Sequence, residues 1–256
     1  MRMISYKGRL QVEIKSPEEI SRMRAAGRLL REIRERMVQL VRPGVSTLSI
    51  DHKVRQWIEE NNARPAFLGL YGFPATICAS INEEVVHGIP SERKLNEGDL
   101  ISFDLGLMRD GFFVDTAVTV AVGEVDEESR KLMEVTSTAL DIGIEQARPG
   151  VRLGDLGSAI QSYVEGQGFN VVRDYTGHGI GRQLHEDPKI PNFGQTGTGP
   201  RLMEGMVICL EPMVCVGTWK TRTLDDHWTV VTADGKRAAH FEHTVAVTAS
   251  GPSVLT

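Results

Sequence analysis

Between Ser16 and Met37 the apolar residues fall at helical spacing: Ile20, Met23, Leu30, Ile33 and Met37 form one stripe among charged neighbours. Ser16-Pro17-Glu18-Glu19 opens the stretch with a hydroxyl cap, a first-turn proline and a glutamate at the third position, and Pro43-Gly44 reads as its stop. Ile50, Val54, Trp57 and Ile58 then space the face of a second, shorter helix. The order returns later. A helical pattern over about 127–147 ends at Arg148-Pro149-Gly150-Val151, a copy of Arg42-Pro43-Gly44-Val45 from 106 residues earlier. Leu156, Ile160, Tyr163 and Val164 repeat the short helix's face at the same offset, which points to an internal duplication.

Strand patterns follow each helix pair. Residues 100–105 and 112–122 are β-rich runs on either side of a turn at Arg109-Asp110-Gly111. Residues 207–216 and 228–232 read as further strands, and Asp234-Gly235 turns the chain toward a last one over 241–248. The expected class is α+β: one domain spanning 1–256, with pseudo-symmetric halves of about 15–122 and 123–250 and a site where two antiparallel sheets meet.

Composition adds mainly exclusions. The 41% hydrophobic and 25% charged content is that of an ordinary globular chain. A net charge of -5, without a basic run, gives no reason to expect sequence-specific nucleic-acid binding, and the arginines between Arg28 and Arg36 read as a solvated helix face. Met1–Leu10 lacks the continuous apolar core of a secretory signal, and no stretch is long enough for a membrane span. Cys78, Cys209 and Cys215 sit among apolar neighbours and read as buried free thiols, which makes the cytoplasm the expected compartment. No assembly element stands out, so a monomer is expected.

The chemistry lies in acids placed on strands. A two-residue turn at Arg109-Asp110 would set Asp104 directly across from Asp115, whereas a turn at Asp110-Gly111 would leave them diagonal but still on one face. Two carboxylates on an apolar hairpin repel and lose solvation, and a cation relieves both costs. Glu211 ends the apolar run 207–210 just before Pro212, and Glu242 stands at the mouth of the last strand. His178, between Gly177 and Gly179, would supply one nitrogen ligand in a space the glycines keep open. Four carboxylates and an imidazole suit two divalent ions that activate water against an amide, so the expected class is a metallohydrolase. His87 and His185 are the further candidates for proton transfer and substrate contact. His52 reads as a helix decoration, His227 and His240 as supporting or surface residues, and His243 as a residue that orients Glu242.

These pieces together resemble methionine aminopeptidase in its short, bacterial-type form. The resemblance rests on Ile81-Asn82-Glu83 with Val86-His87-Gly88-Ile89-Pro90, Gly98-Asp99 through Asp104, Asp115, Gly177-His178-Gly179-Ile180-Gly181, His185-Glu186-Asp187-Pro188, Glu211-Pro212-Met213 and Phe241-Glu242-His243-Thr244. They occur in family order across about residues 15–250.

The resemblance implies a pita-bread fold around a dimetal centre. It makes Asp104, Asp115 and Glu242 ligands of one metal and Asp115, His178, Glu211 and Glu242 ligands of the other, the ions being iron, manganese, cobalt or zinc. A water shared by the metals would attack the scissile carbonyl with help from His185, Glu211 would move the proton, and His87 would contact the peptide nitrogen. Phe67, Leu70, Phe73, Cys78, Leu184 and Trp228 map to the pocket for the initiator methionine, with Leu70 and Phe73 where many relatives carry tyrosine. The implied substrate is the N-terminus of a nascent polypeptide with a small second residue, met during transient ribosome association. The competing readings are an Xaa-Pro aminopeptidase or dipeptidase of the same fold, and a binding protein that has lost catalysis.

Overall fold

The computed structural model describes residues 2–6 and 10–256; the first-residue stretch read for a secretory pattern lies partly outside these. Strands β1 (Arg2–Tyr6) and β2 (Leu10–Ile14) form a two-stranded sheet and lead into helices α1 (Pro17–Val38) and α2 (Thr47–Glu60). Short strands β3 (Arg64–Pro65), β4 (Ile77–Ile81) and β5 (Glu84–Val86) precede the long hairpin of β6 (Leu100–Arg109) and β7 (Phe112–Ala121). Helices α3 (Glu127–Gln146) and α4 (Leu153–Gly166) come next, then β8 (Asn170–Val171), β9 (Gly177–Gly179) and β10 (Glu186–Ile190). The chain continues through β11 (Val207–Leu210), β12 (Met213–Cys215), β13 (Thr221–Thr223) and β14 (Val230–Thr232). It ends with β15 (Ala238–His240), β16 (Glu242–Thr248) and β17 (Gly251–Val254).

Local chemistry sets these boundaries. Ser16 and Glu19 close a reciprocal cap at the start of α1, Ser16 Oγ accepting from Glu19 N at 3.3 Å and Glu19 Oε2 from Ser16 N at 2.8 Å. The helix stops at Val38, before the Pro43-Gly44 breaker, and those residues belong to the loop leading to α2. The hairpin turn falls at Asp110-Gly111, with φ values of 52° and 81°. Asp-Gly accepts left-handed backbone at both turn positions, which a central arginine resists, so the turn at Arg109-Asp110 is not formed. The apolar run 207–216 divides into β11 and β12 at Glu211-Pro212, because proline has no N–H for the ladder, and the chain passes there from one sheet to another.

The main sheet runs in the order β10-β9-β11-β16-β7-β6-β3, with β4 also on β6 and β17 on β16. Strands from the first 121 residues join those of the later chain at the β7–β16 pairing, where Glu242 faces Ala117 and His243 faces Thr116. Each helix pair covers its own stretch of this sheet. Leu30, Ile33, Met37, Ile50, Val54 and Ile58 pack with Ile101, Phe103, Leu105 and Val114 in one core. Leu132, Leu140, Leu156 and Ile160 pack with Ile208, Leu210, Val245 and Val247 in another. Asp104 lies between Phe103 and Leu105, so strand alternation turns its carboxylate to the face away from the helices.

Gly27 lets α1 approach the C-terminal residues: a Cβ there would stand 2.1 Å from the Leu255 carbonyl oxygen. Alanine at a helix-interior glycine ordinarily gains about 1 kcal/mol. Here backbone overlap outweighs that gain, and G27A should lose about 1–3 kcal/mol. The expected readout is a melting temperature lower by about 2–4 °C for each kcal/mol lost. Thermal unfolding followed by circular dichroism checks the sign, since propensity alone predicts a rise.

Candidate metal centre

The hairpin register places Asp104 opposite Ala117, and Glu242 on β16 faces the same alanine from the other side. Three neighbouring strands thus present acid, methyl and acid in one row, and the small central side chain leaves room for the flanking carboxylates to turn inward. Asp115 is paired with Gly106, so Asp104 and Asp115 are diagonal rather than directly opposed, on a shared face. Glu211 follows directly on β11, and His178 lies at the middle of β9 beside it. His178 Nε2 stands 3.6 Å from Glu211 Oε1.

Hydroxyl groups lock the seam that carries this row. Thr244 Oγ1 accepts from Asp115 N at 2.9 Å and donates to the Asp115 carbonyl at 2.8 Å. Thr116 Oγ1 donates to the Glu242 carbonyl at 2.9 Å, and Thr119 Oγ1 donates to the His240 carbonyl at 2.9 Å. These threonines carry no reactive chemistry and nothing in the sequence marks them, yet they fix the backbone beneath two of the acids.

Burial and mutual repulsion act on the carboxyls together. Desolvation, then the charges of Glu242 and Asp104, push Asp115 well above the ordinary carboxylate range. Glu211 and Glu242 rise for the same reasons, and burial raises Asp104. Asp104 Oδ1 and Glu242 Oε1 are buried without a hydrogen-bond partner. Buried acceptors left open at the centre of an acidic cluster fit a divalent cation, because a cation satisfies the oxygens and the charge at once. The nitrogen donor suits the same purpose. His178 Nδ1 lies 2.8 Å from the Gly179 carbonyl, a contact that places the proton on Nδ1 and leaves the Nε2 lone pair toward the acids. Desolvation lowers His178 to about 4, so the ring is neutral at physiological pH.

Donor atoms of Asp115, His178, Cys209 and Glu242 all lie within 4.8 Å of one another. Cys209 joins this group from the same strand face as Glu211, two residues away, a period-two signal hidden by the apolar character of its neighbours. Its thiol is pushed well above its usual range by burial and by the surrounding carboxylates, which keeps it protonated. The glycines around His178 serve neighbouring backbones rather than the imidazole. A Cβ on Gly177 would stand 2.3 Å from the Cys209 carbonyl oxygen, and one on Gly179 would stand 2.3 Å from that of Asp187.

A cavity of about 930 Å³ opens over the acids and is lined also by Phe67, Leu70, Phe73, Cys78, His87, Leu184, His185 and Trp228. Phe73 and Trp228 meet edge to face at 5.1 Å. His87 packs against Tyr175 at 5.7 Å and Trp228 at 6.5 Å, and desolvation lowers it to about 4. Its φ of 61° is unusual for a residue with a side chain, a strain that clusters at functional sites. His185 lies edge-on to His178 at 4.5 Å and stacks with the exposed Tyr71 at 6.4 Å. His240 is buried with Nε2 at 3.9 Å from Glu211 Oε2, whereas His227 and His52 are exposed. His243 does not orient Glu242. Alternation turns it to the helix side of the sheet, where Nδ1 is 3.0 Å from Thr256 Oγ1 and 3.5 Å from Arg34 Nη1.

Residues 21–249 match Metallopeptidase family M24. The methionine aminopeptidase of Clostridium perfringens is 49% identical over 243 residues, covering 95% of this chain and 98% of that protein. Methionine aminopeptidase 1 of Bacillus subtilis is 48% identical over 242 residues, covering 94% and 98%. The crystal structure of the Thermotoga maritima methionine aminopeptidase superposes with a TM-score of 0.94 at 44% identity, covering 96% of this chain and 99% of that one. Prolidase from Pyrococcus furiosus shares the fold at a TM-score of 0.76 and 26% identity, but this chain covers only 65% of its length. The α+β architecture is therefore the pita-bread fold, and the chain belongs to Metallopeptidase family M24 and, within it, to the methionine aminopeptidases.

Proposed function

We propose that this chain is a metal-dependent aminopeptidase that removes the initiator methionine from nascent proteins and peptides whose second residue is small. The observation that carries the reading is the convergence of Asp104, Asp115, His178, Glu211 and Glu242 in a cleft that continues into an apolar recess. Asp104, Asp115 and Glu242 would hold one divalent cation, and Asp115, His178, Glu211 and Glu242 a second, with Asp115 and Glu242 shared. Iron, manganese, cobalt and zinc all accept this set of oxygens and one imidazole. Such cations, when bound, polarise the scissile carbonyl and lower the proton affinity of water.

The protein groups divide the remaining work. Glu211, half-buried beside His178 and His240, takes the proton of the attacking water and passes it to the departing amine. His185 donates to the carbonyl oxygen, and His87 contacts the peptide nitrogen. Neutral rings suit both tasks, because each keeps one N–H donor without adding charge. Phe67, Leu70, Phe73, Cys78, Leu184 and Trp228 receive the methionine, whose flexible thioether fits an apolar and aromatic wall. The reading extends to a cytoplasmic monomer that works on chains emerging from the ribosome.

One catalytic domain with an internal duplication accompanies this reading. The loops before α2 and α4 support it: Gly44 N donates to the Leu95 carbonyl at 2.8 Å, and Gly150 N to that of Leu202 at 2.8 Å. Leu95 N and Leu202 N return the bond to the carbonyls of Val45 and Val151 at 2.9 and 2.8 Å.

Activity on Met-Ala and Xaa-Pro peptides tests the assignment. The metal-loaded protein should cleave the first, and cleavage of Xaa-Pro peptides alone would sink it. H87A should lower kcat by about 10²-fold while bound metal stays near the wild-type content. If loss of metal accounts for the whole defect, His87 has no direct contact with substrate.

The acids also fix a pH dependence. Raised carboxyl pKa values mean that the protonated forms favour folding in the absence of cations. Stability is then fully present below about pH 4, the ordinary carboxylate range. It is lost as pH rises through about 7, to which Asp104 is raised. Above about pH 7 the buried histidines are neutral in both the folded and the unfolded chain, so only the acids act there: melting temperatures in a chelator should fall from pH 7 to 8, and added manganese should restore more of the loss at the higher pH. A profile that rises between pH 7 and 8 without metal would contradict the buried-acid account.

A further inference from the structure

Lys15 leaves the end of β2 just before the cap of α1, and its side chain is only 2% exposed. Its Nζ stands 2.5 Å from Glu186 Oε2 and 3.2 Å from the Glu13 carbonyl. The other oxygen of the same carboxylate, Glu186 Oε1, accepts from Arg182 N at 2.7 Å and from Gln183 N at 3.1 Å. One carboxylate therefore ties together both ends of a turn over residues 182–186. The two residues between those ties are Leu184 and His185, both on the wall of the cleft.

Two further observations point to the same clamp. Arg182 Nη2 meets Glu19 Oε1 at 2.7 Å and its Nε meets Glu13 Oε1 at 3.3 Å, while the guanidinium lies 4.8 Å over the Phe112 ring. Glu19 thus serves the cap of α1 and the turn at once. Gly181 supplies the space: a Cβ there would stand 2.3 Å from Lys15 Cε and 2.7 Å from Nζ. The ammonium reaches Glu186 because that position has no side chain.

We propose that Lys15 is a positioning residue for His185, its ion pair with Glu186 holding the 182–186 turn so that the imidazole meets the substrate carbonyl. The proposal rests on the role given to His185 above. A buried ion pair contributes little net stability compared with apolar packing, so its effect here is on geometry. A shift of about 1 Å in a catalytic group can cost on the order of 10²-fold in rate.

A double-mutant cycle on the metal-loaded protein, with a Met-Ala peptide, separates positioning from general stability. K15M should lower kcat about 10–100-fold with KM and bound metal near wild type, yet cost less than about twofold in the H185A background. The same loss in both backgrounds would overturn the proposal and leave the role of His185 standing. H185A as active as wild type would instead remove that role, and the positioning inference with it. E186Q keeps an acceptor for both amides and removes only the charge, so it carries the same cycle if K15M does not fold. A folded E186Q with wild-type kcat would likewise overturn the clamp.

Discussion

Four carboxyls share one cleft, and every other feature of the site follows from holding them there. Asp104, Asp115 and Glu242 lie on adjacent strands of one sheet, and Glu211 is brought beside them at a strand end. Without a cation such acids can relieve their repulsion only by taking up protons, which is the direction in which burial pushes them. The acidic row weakens the fold at its centre. Its rigidity has to come from the packing on the other face, where each helix pair fills a separate core.

The seam between β7 and β16 is where that tension is concentrated. Two backbone pairings alone join the strands there, and hydroxyls of Thr116, Thr119 and Thr244 add side-chain rungs. A threonine accepts and donates at one oxygen, so it can bridge strands whose own N–H and C=O groups are no longer in register. Arg34 extends the bracing to the helix layer by donating to Thr116 Oγ1 at 2.7 Å. The acids are thus anchored through backbone whose position is set from the helix side.

Much of this was legible in the residue order, because period and punctuation carry it. Helical spacing located α1 to α4, and acids on β-rich runs located the cleft residues. The exact turn was not, since Arg109-Asp110-Gly111 offers two registers and only the left-handed tolerance of Asp-Gly selects one. Period two would have placed His243 correctly, because the neighbour of an inward Glu242 must face outward. Cys209 looked like core because its sequence neighbours are core. Gly181 and Lys15 are 166 residues apart, and their shared space is a property of the fold that no local pattern encodes.

The histidines show which force governs the cleft. A carboxylate at 3.6 Å from His178 ordinarily favours the protonated ring, yet desolvation holds His178 and His87 at about 4 and His240 at about 3. Burial therefore outweighs attraction, because the neighbouring carboxyls are themselves raised and carry less charge than their number suggests. Bound cations would return the acids to the ionised form while repelling a proton from the rings. Imidazoles neutral in both states leave the four acids as the groups whose proton affinity changes with the charge at the centre, and that is the property the proposed proton transfer asks of Glu211.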